Sequence, residues 1–493
     1  MMKRKAVKVL VISLLCSLGA FAQDKSEWTL QECIDYAMEN NLDVKRSVLS
    51  VESQDINYSQ SKFSRLPNVS ANGSYGYSWG RSIDPTTNLF VDNQRIASAN
   101  ANVSGSVVLF NGMRVNNSIK QSRLSFESSQ MDLEASKNSV ILNIITFYTN
   151  VLFARELLEN ARTQLSSTEQ QVELTSKQVE VGALPKSNLL DLQAQKATNE
   201  LNVVNRENDY LMAKIQLKQV LQLSPDSEIE IVVPELDIES EPVMELSAIE
   251  IYNIALNSMP EVQGAQLNSQ SAEIGVSVAR GDLYPTFSLQ GGLTTRYSDA
   301  SQLPTSQSPV FIANPVSPNS GDVQLYQSVT FLNGNDLQTV NIPATTSSGY
   351  ETIDFQTQVD DNLSKFVSFN VSIPIFNGFS ARSGVQRAII TREQAQINEK
   401  DVKYKLWTSI EQSYNDVTAA IKSYNASLKQ VQAREESFRV MKQRYDIGAV
   451  NFTDYQIAEN DLFQAKSDLL RAKYDYIFKL KILDFYQGKP LDF

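Results

Sequence analysis

The sequence predicts an α+β membrane protein made by internal duplication, in which pairs of amphipathic strands alternate with very long helices. Three observations predict it. An alternating apolar run that stops at Phe-Asn-Gly occurs at 107–112 and again at 372–378. From Gly112 to Gly182 there is no proline and no other glycine, so a helix of roughly 65 to 70 residues, about 100 Å long, is expected there. The chain also opens on a secretory leader, which takes it out of the cytoplasm.

In that leader Lys3, Arg4, Lys5 and Lys8 precede an apolar run over 9–18, and Ala20-Phe21-Ala22 supplies the small residues of a cleavage site. A signal peptide at 1–22 is expected, with Gln23 the mature start. The alternative of an N-terminal membrane anchor needs a run of ~20 apolar residues. Cys16 follows Leu15 where a lipoprotein signal would place a small residue, which argues against lipidation. After the leader no apolar run is long enough for a transmembrane helix, so any membrane insertion is expected through strands.

Charge and composition exclude several classes. There are 44 Lys and Arg against 56 Asp and Glu, a net charge of -12, which argues against a nucleic-acid partner. Only Cys33 remains beyond the leader, so no disulfide framework can form within one chain, and histidine is absent, which removes imidazole chemistry and His-based metal sites. No phosphate-binding loop occurs. No cofactor is implied.

The halves align with constant offsets. Thr29 to Glu32 matches Ser247 to Glu250, Ala37 matches Ala255, and Leu66-Pro67 matches Tyr284-Pro285, each 218 apart; Phe110 matches Phe376 and Gly182 matches Gly448, each 266 apart. The difference, 266 − 218 = 48, is an insertion in the second half. Each repeat opens on a capping box, Thr29 with Glu32 and Ser247 with Glu250. A second helix follows Asn40-Asn41, or Met259-Pro260, and ends at Leu66-Pro67 or Tyr284-Pro285.

The strands come next. Val69, Ala71, Gly73, Tyr75, Tyr77 and Trp79 alternate with small polar residues, and the returning strand sets Val103, Gly105, Val107 and Leu109 against Asn102, Ser104 and Ser106. In the second repeat Phe287, Leu289 and Leu293 oppose Ser288, Gln290 and Thr294, while Val367, Phe369, Val371, Ile373 and Ile375 oppose Ser368, Asn370 and Ser372. Four strands of about ten residues fit a transmembrane barrel, although a soluble half-buried sheet shows the same alternation. Four strands cannot close a barrel, whose known minimum is about eight, so closure requires oligomerisation. The second hairpin carries the insertion in a polar loop at 298–364 without Lys or Arg before Ser364; it reads as a surface loop, or as a lid or receptor.

Each long helix breaks at a Gly-Ala turn, Val181-Gly182-Ala183-Leu184-Pro185 and Ile447-Gly448-Ala449-Val450. On the return helices Leu190, Ala194, Ala197, Leu201, Val204, Asn208, Leu211 and Ile215, and likewise Ala458, Leu462, Ala465, Leu469, Ala472 and Tyr476, step by alternating fours and threes. That is coiled-coil spacing, whose plainer reading is an antiparallel hairpin packing on itself. The expected organisation is a first repeat over 23–223 (strand hairpin about 68–110, tip at 182), an acidic proline-containing linker or side module at 224–245, a second repeat over 246–486 (hairpin about 286–376, tip at 448) and a short tail at 487–493.

The duplicated unit, the Leu-Pro or Tyr-Pro approach to an outer strand, the Phe-Asn-Gly exit and the Gly-Ala turn splitting two long helices, in this order, resemble the TolC-like outer-membrane efflux proteins over the whole mature chain. The resemblance implies a homotrimer in the outer membrane whose twelve strands form one β-barrel continued by a coiled-coil helical barrel in the periplasm. It implies a passive export channel docked to a periplasmic adaptor (membrane fusion) protein and an inner-membrane pump of the resistance-nodulation-division or ABC type. Docking is carried to Gly182, Ala183, Leu184, Gly448, Ala449 and Val450, where plain turn chemistry also explains the glycines. The aperture is carried to Asp454, Tyr445 and Asn188; Ile457 stands where the family has a second carboxylate and Val450 where it has an arginine, so the closing network differs. A ring of Asp454 side chains would attract cations, and the alternative is a helix N-cap. Two rivals follow from the residues alone: a secreted or envelope coiled-coil scaffold without a pore, and a hydrolase using exposed acids such as Asp191 and Glu200.

Overall fold

The computed structural model describes residues 27–83, 90–233, 246–305, 307–309, 311–312, 323–324, 326–333, 336–343, 345–347 and 350–489. The leader at 1–22, most of the linker's acidic residues, parts of the long loop and 490–493 lie outside the described residues. The chain divides into two units. A helical unit takes Met1–Gln60, Asn117–Ser277 and Val385–Phe493, and a sheet unit takes Ser61–Asn116 and Val278–Gly384.

In the helical unit, α1 (Leu30–Asn40) begins at the Thr29 capping box, with the Glu32 amide donating to Thr29 Oγ1 at 3.3 Å and the Thr29 amide to Glu32 Oε2 at 3.0 Å. Helix α2 (Leu42–Phe63) follows. The long helix α3 (Arg114–Glu180) has 67 residues and returns as α4 (Lys186–Leu221). The second repeat copies the plan with α5 (Ala248–Ser258), capped by Ser247 and Glu250, α6 (Pro260–Arg280), then, beyond its strands, α8 (Ser380–Asp446), again 67 residues, and α9 (Phe452–Gln487).

The offsets found in the motifs also govern the core. Cys33 and Ile251, Ala37 and Ala255, Ile144 and Ile410, Val151 and Val417, and Leu217 and Leu483 are related by 218 or 266 and all are buried. They form two separate clusters, one per repeat. Burying each large aliphatic side chain contributes roughly 1.5 to 3 kcal/mol, so each capping helix is held chiefly by its apolar face. The linker contributes to the first cluster: β1 (Glu27–Trp28) pairs in parallel with β4 (Glu230–Ile231), Ile229 and Ile231 are buried, and Tyr148 donates to the Val232 carbonyl at 2.7 Å.

One expectation needs correcting here. Helix α3 contains an 18-residue window apolar enough to cross a membrane by length and composition. Half of that window is buried, and Val140, Ile144, Ile145, Tyr148 and Leu152 are packed in the first cluster, which accounts for its apolarity.

The sheet unit holds β2 (Asn68–Ile83), β3 (Phe90–Asn111), β5 (Thr286–Ser298) and β6 (Ser364–Ser372) in the antiparallel order β6-β5-β3-β2. Many apolar residues stand opposite apolar residues, as in Val103 opposite Leu293 and Phe369 opposite Leu289, although Leu293 also stands opposite Lys365 of β6. Strand β6 stops at Ser372. Beyond it Pro374 has no N–H to donate, and among the described residues no strand pairs with this edge. The described residues of the long loop include regular elements. It contains an antiparallel hairpin of Tyr326–Asn333 with Asp336–Pro343 and the short helix α7 (Phe355–Asp361), clamped to the end of β5 by Gln358, whose side chain accepts from the Ser298 amide and donates to its carbonyl, both at 2.9 Å.

Candidate aperture and docking tips

The two Gly-Ala turns are built alike. After α3 the Gly182 amide donates to the Val179 carbonyl at 3.0 Å and the Ala183 amide to the Gln178 carbonyl at 2.8 Å; after α8 the Gly448 amide reaches Tyr445 at 2.9 Å and the Ala449 amide Arg444 at 2.8 Å. These pairs are Schellman closures, which satisfy the last carbonyls of the helix and require a left-handed residue. Gly182 and Gly448 supply it at φ 73° and 70°. A Cβ at either would meet nothing, so conformation and not crowding selects glycine. The turn leaves Val181 and Ile447 each 80% exposed at the extreme of its hairpin. Ala183 and Ala449 are exposed as well, while Leu184 and Val450 are half-buried.

Behind the tips the four long helices meet in an aromatic cluster. Leu192 of α4 and Phe452 and Tyr455 of α9 are buried, packed by Val172 of α3 and by Phe438 and Tyr445 of α8. Tyr445 stacks on Tyr455 with ring centroids 4.8 Å apart. Its hydroxyl is buried without a hydrogen bond of normal geometry. Thr175 is close enough to favour the ionised form slightly, but burial dominates and pushes the phenol up.

Asp454 does not cap its helix. Asn451 does, its side-chain oxygen accepting from the Asp454 amide at 2.8 Å, because the cap must precede the first helical residue, Phe452. The Asp454 carboxylate is exposed in the first turn, where the helix dipole favours an anion. Asn188 is half-buried on α4, its amide donating to Pro185 at 3.1 Å. Among the described residues no hydrogen bond or ion pair joins Asp454, Tyr445 and Asn188. Ile457 is 55% exposed. Asp191 and Glu200 are exposed, and Glu200 pairs with Lys196 at 3.6 Å.

The residues that link the two hairpins were not singled out in the sequence. Gln171 donates to the Tyr455 hydroxyl at 3.1 Å, and Ser167 donates to Glu459 at 2.7 Å. Glu459 is 5% exposed; burial raises its carboxyl pKa, partly offset by Ser167 and by the charge of Lys442. The available signal was Phe452, Tyr455 and Glu459 at steps of three and four, one face of α9.

The sequence profile of the family described as "Outer membrane efflux protein" matches residues 33–221 and 339–488. The chain is 21% identical to the outer membrane protein TolC of Escherichia coli over 481 residues, covering 95% of this chain and 84% of that protein. It is 20% identical to the probable outer membrane lipoprotein SilC of Salmonella typhimurium, covering 90% and 81%. Among solved structures it is similar to CusC at TM-score 0.73 and 17% identity, over 94% of this chain and 92% of that one. It is also similar to the Campylobacter jejuni CmeC outer membrane channel at 0.66 and 17%, over 94% and 87%.

Proposed function

The chain belongs to the outer membrane efflux protein family, and from that premise we propose that it is a homotrimeric export channel working as the outer-membrane component of a tripartite system. It lies in the outer membrane and conducts passively from periplasm to exterior. A periplasmic adaptor docks on the exposed tips at Gly182, Ala183, Leu184, Gly448, Ala449 and Val450, and an inner-membrane pump supplies the energy. Asp454, Tyr445 and Asn188 sit at the periplasmic aperture.

The observation that carries this reading is the four-stranded sheet. Among the described residues the outer edges of its edge strands β2 and β6 have no partner strand, and on the face holding Val69, Tyr75, Trp79, Val367 and Phe369 every one of those side chains is more than half exposed. Such a sheet is stable in lipid, where an apolar face is solvated and only a closed ring satisfies the edges. A pore-free scaffold would leave that face in water. For docking, the test is crosslinking in cells from cysteine at Ala183 or Ala449. Capture of an adaptor-class protein supports the assignment, and capture only from positions on the sheet contradicts it.

A further inference from the structure

A polar trough runs along α3 between α4 and α9, wholly inside the helical unit. Its cavity of about 510 Å³ has Phe153, Asn160 and Gln164 of α3 as its floor, Asn202 of α4 on one wall and Asn460 and Phe463 of α9 on the other. Gln456 of α9 donates to Gln195 of α4 and closes it on the tip side. A second cavity of about 180 Å³ continues it away from the tip, sharing Phe153 and Arg471 and adding Thr149 and Asn150. From Thr149 to Gln164 the two follow α3 for about 22 Å, at ~1.5 Å per residue.

The lining has hydrogen-bonding capacity left over. Asn160 donates to Ser467 at 2.9 Å and Gln164 to Asn460 at 3.2 Å. Those bonds orient the three carboxamides and leave, among the described residues, the Asn160 and Gln164 oxygens free to accept and the Asn460 amino group free to donate. The side chains of Asn150 and Asn202 make no bond among the described residues. Thr149 is 4% exposed and its hydroxyl is buried without a partner. Charge is left over as well. Arg206 pairs with Asp209 at 3.2 Å, Asp475 with Lys479 at 2.9 Å, and Asp468 accepts from Gln464 at 2.9 Å. Arg471, where the two cavities meet, has no ion pair or hydrogen bond among the described residues.

The duplication shows that long helices of this kind do not need these side chains. At positions 266 away, Asn160 and Asn460 answer to Ala426 and Ala194, Phe153 and Phe463 to Ala419 and Ala197, and Arg471 to Asn205. Alanine is the better helix former, so the asparagines cost helix stability that the other repeat does not give up.

The chemistry of the lining selects a ligand class. Carboxamides with free oxygens and free N–H groups suit a partner dense in hydroxyl and amide groups. The trough has no apolar stripe to receive an amphipathic helix, and one free cation is too few for a phosphate-rich polymer. Two phenyl rings in a polar channel suit the C–H faces of sugar rings, and a free guanidinium suits a carboxylate.

We propose that the trough binds an N-acetylated glycan bearing carboxylates, the chemistry of the cell-wall polymer that shares the periplasm with these helices. This rests on the outer-membrane reading above and adds a partner to it. Arg471 holds the carboxylate, the Asn160 and Gln164 oxygens accept acetamido N–H groups, and Asn460, Asn202 and Asn150 donate to hydroxyl and carbonyl oxygens. A strand held there ties the duct to the wall it crosses.

The test uses the full-length protein in detergent and two probes: the soluble disaccharide-peptide that a muramidase releases from cell wall, and intact sacculi in a sedimentation assay. One variant is Arg471→Gln; the other is Asn160→Ala with Asn460→Ala, which only installs the residues of the other repeat. The disaccharide-peptide should bind the unaltered chain saturably, and each variant should weaken it at least about tenfold, the loss expected for one charge-assisted or two neutral hydrogen bonds. The uncharged disaccharide of N-acetylglucosamine should bind Arg471→Gln as well as it binds the unaltered chain. Arg439→Gln removes an exposed cation paired with Glu436 outside the trough and should change nothing; a tenfold loss there too would reduce the effect to net charge and overturn the site. Equal affinity in all variants, or no binding by a protein recovered with the outer membrane, overturns the glycan site and leaves the channel standing. Binding of the fragment without binding of sacculi overturns the wall as occupant. A protein absent from the outer membrane overturns the channel reading and this site with it. If one variant fails to assemble, the other decides alone.

Discussion

Gly112 and Gly281 meet backbone to backbone: a Cβ built on Gly112 would stand 2.6 Å from the Gly281 carbonyl oxygen. Gly182 has a similar dihedral, φ 73° against 65°, but open space around it. The pair separates two costs that a glycine motif usually mixes. Gly182→Ala should cost about 1 kcal/mol, the left-handed conformation alone. Gly112→Ala should cost several times that, because backbone must move as well. Denaturant unfolding of the two variants side by side checks the ranking, and equal losses would contradict it.

Tyr445 holds its place by stacking and not by its hydroxyl. Tyr445→Phe removes a buried group without a well-formed partner, so stability should change by less than about 0.5 kcal/mol. Tyr445→Ala removes the ring from Tyr455 and Phe452 and should cost about 2 to 3 kcal/mol, with greater leak of small solutes across the outer membrane. A larger loss in the Phe variant than in the Ala variant would refute this assignment.

Glu459 gives the tip region a pH dependence with a definite sign. Its folded-state pKa is raised by burial, so the folded chain holds the proton more tightly than the unfolded one. The contribution to stability is full below the unfolded carboxyl value and is lost as pH rises through the folded one. Glu459→Gln should therefore flatten the stability profile above about pH 4.3 and should not weaken the folded state at neutral pH. Thermal unfolding across pH checks it, and a variant that loses stability only at neutral pH would reverse the sign.

Asp454 is exposed in the first turn of α9, beside Asn451 but not bonded through its carboxylate to any described residue. In a trimer three such carboxylates would repel one another and concentrate cations. Asp454→Ala should move the reversal potential under a salt gradient toward zero in planar bilayers. An unchanged potential would exclude it from the conducting path.

Most of the fold was legible because it is local or repeated. Capping boxes, helix length and Schellman glycines are written in contiguous residues, and the duplication lets Cys33 and Ile251 report the same core position. What could not be read depends on contacts far apart in sequence. The clamp of Gln358 on Ser298 lies inside a polar loop, and Glu459 meets Ser167 across 292 residues. The heptad stripe on α4 was legible as a pattern but not as a partner choice: its leucines do not face their own hairpin. At the start of α9, the cap residue was Asn451 and not Asp454, because one residue's phase along a helix start cannot be fixed from spacing alone.

The most direct measurement is the conductance of the purified, detergent-extracted protein in a planar bilayer, with its assembly size determined on the same sample. The account predicts a heat-sensitive trimer that forms discrete, ohmic, cation-preferring channels without any energy source. A monomer soluble without detergent, or a trimer that inserts but does not conduct even when the tip helices are loosened by Tyr445→Ala, would contradict it.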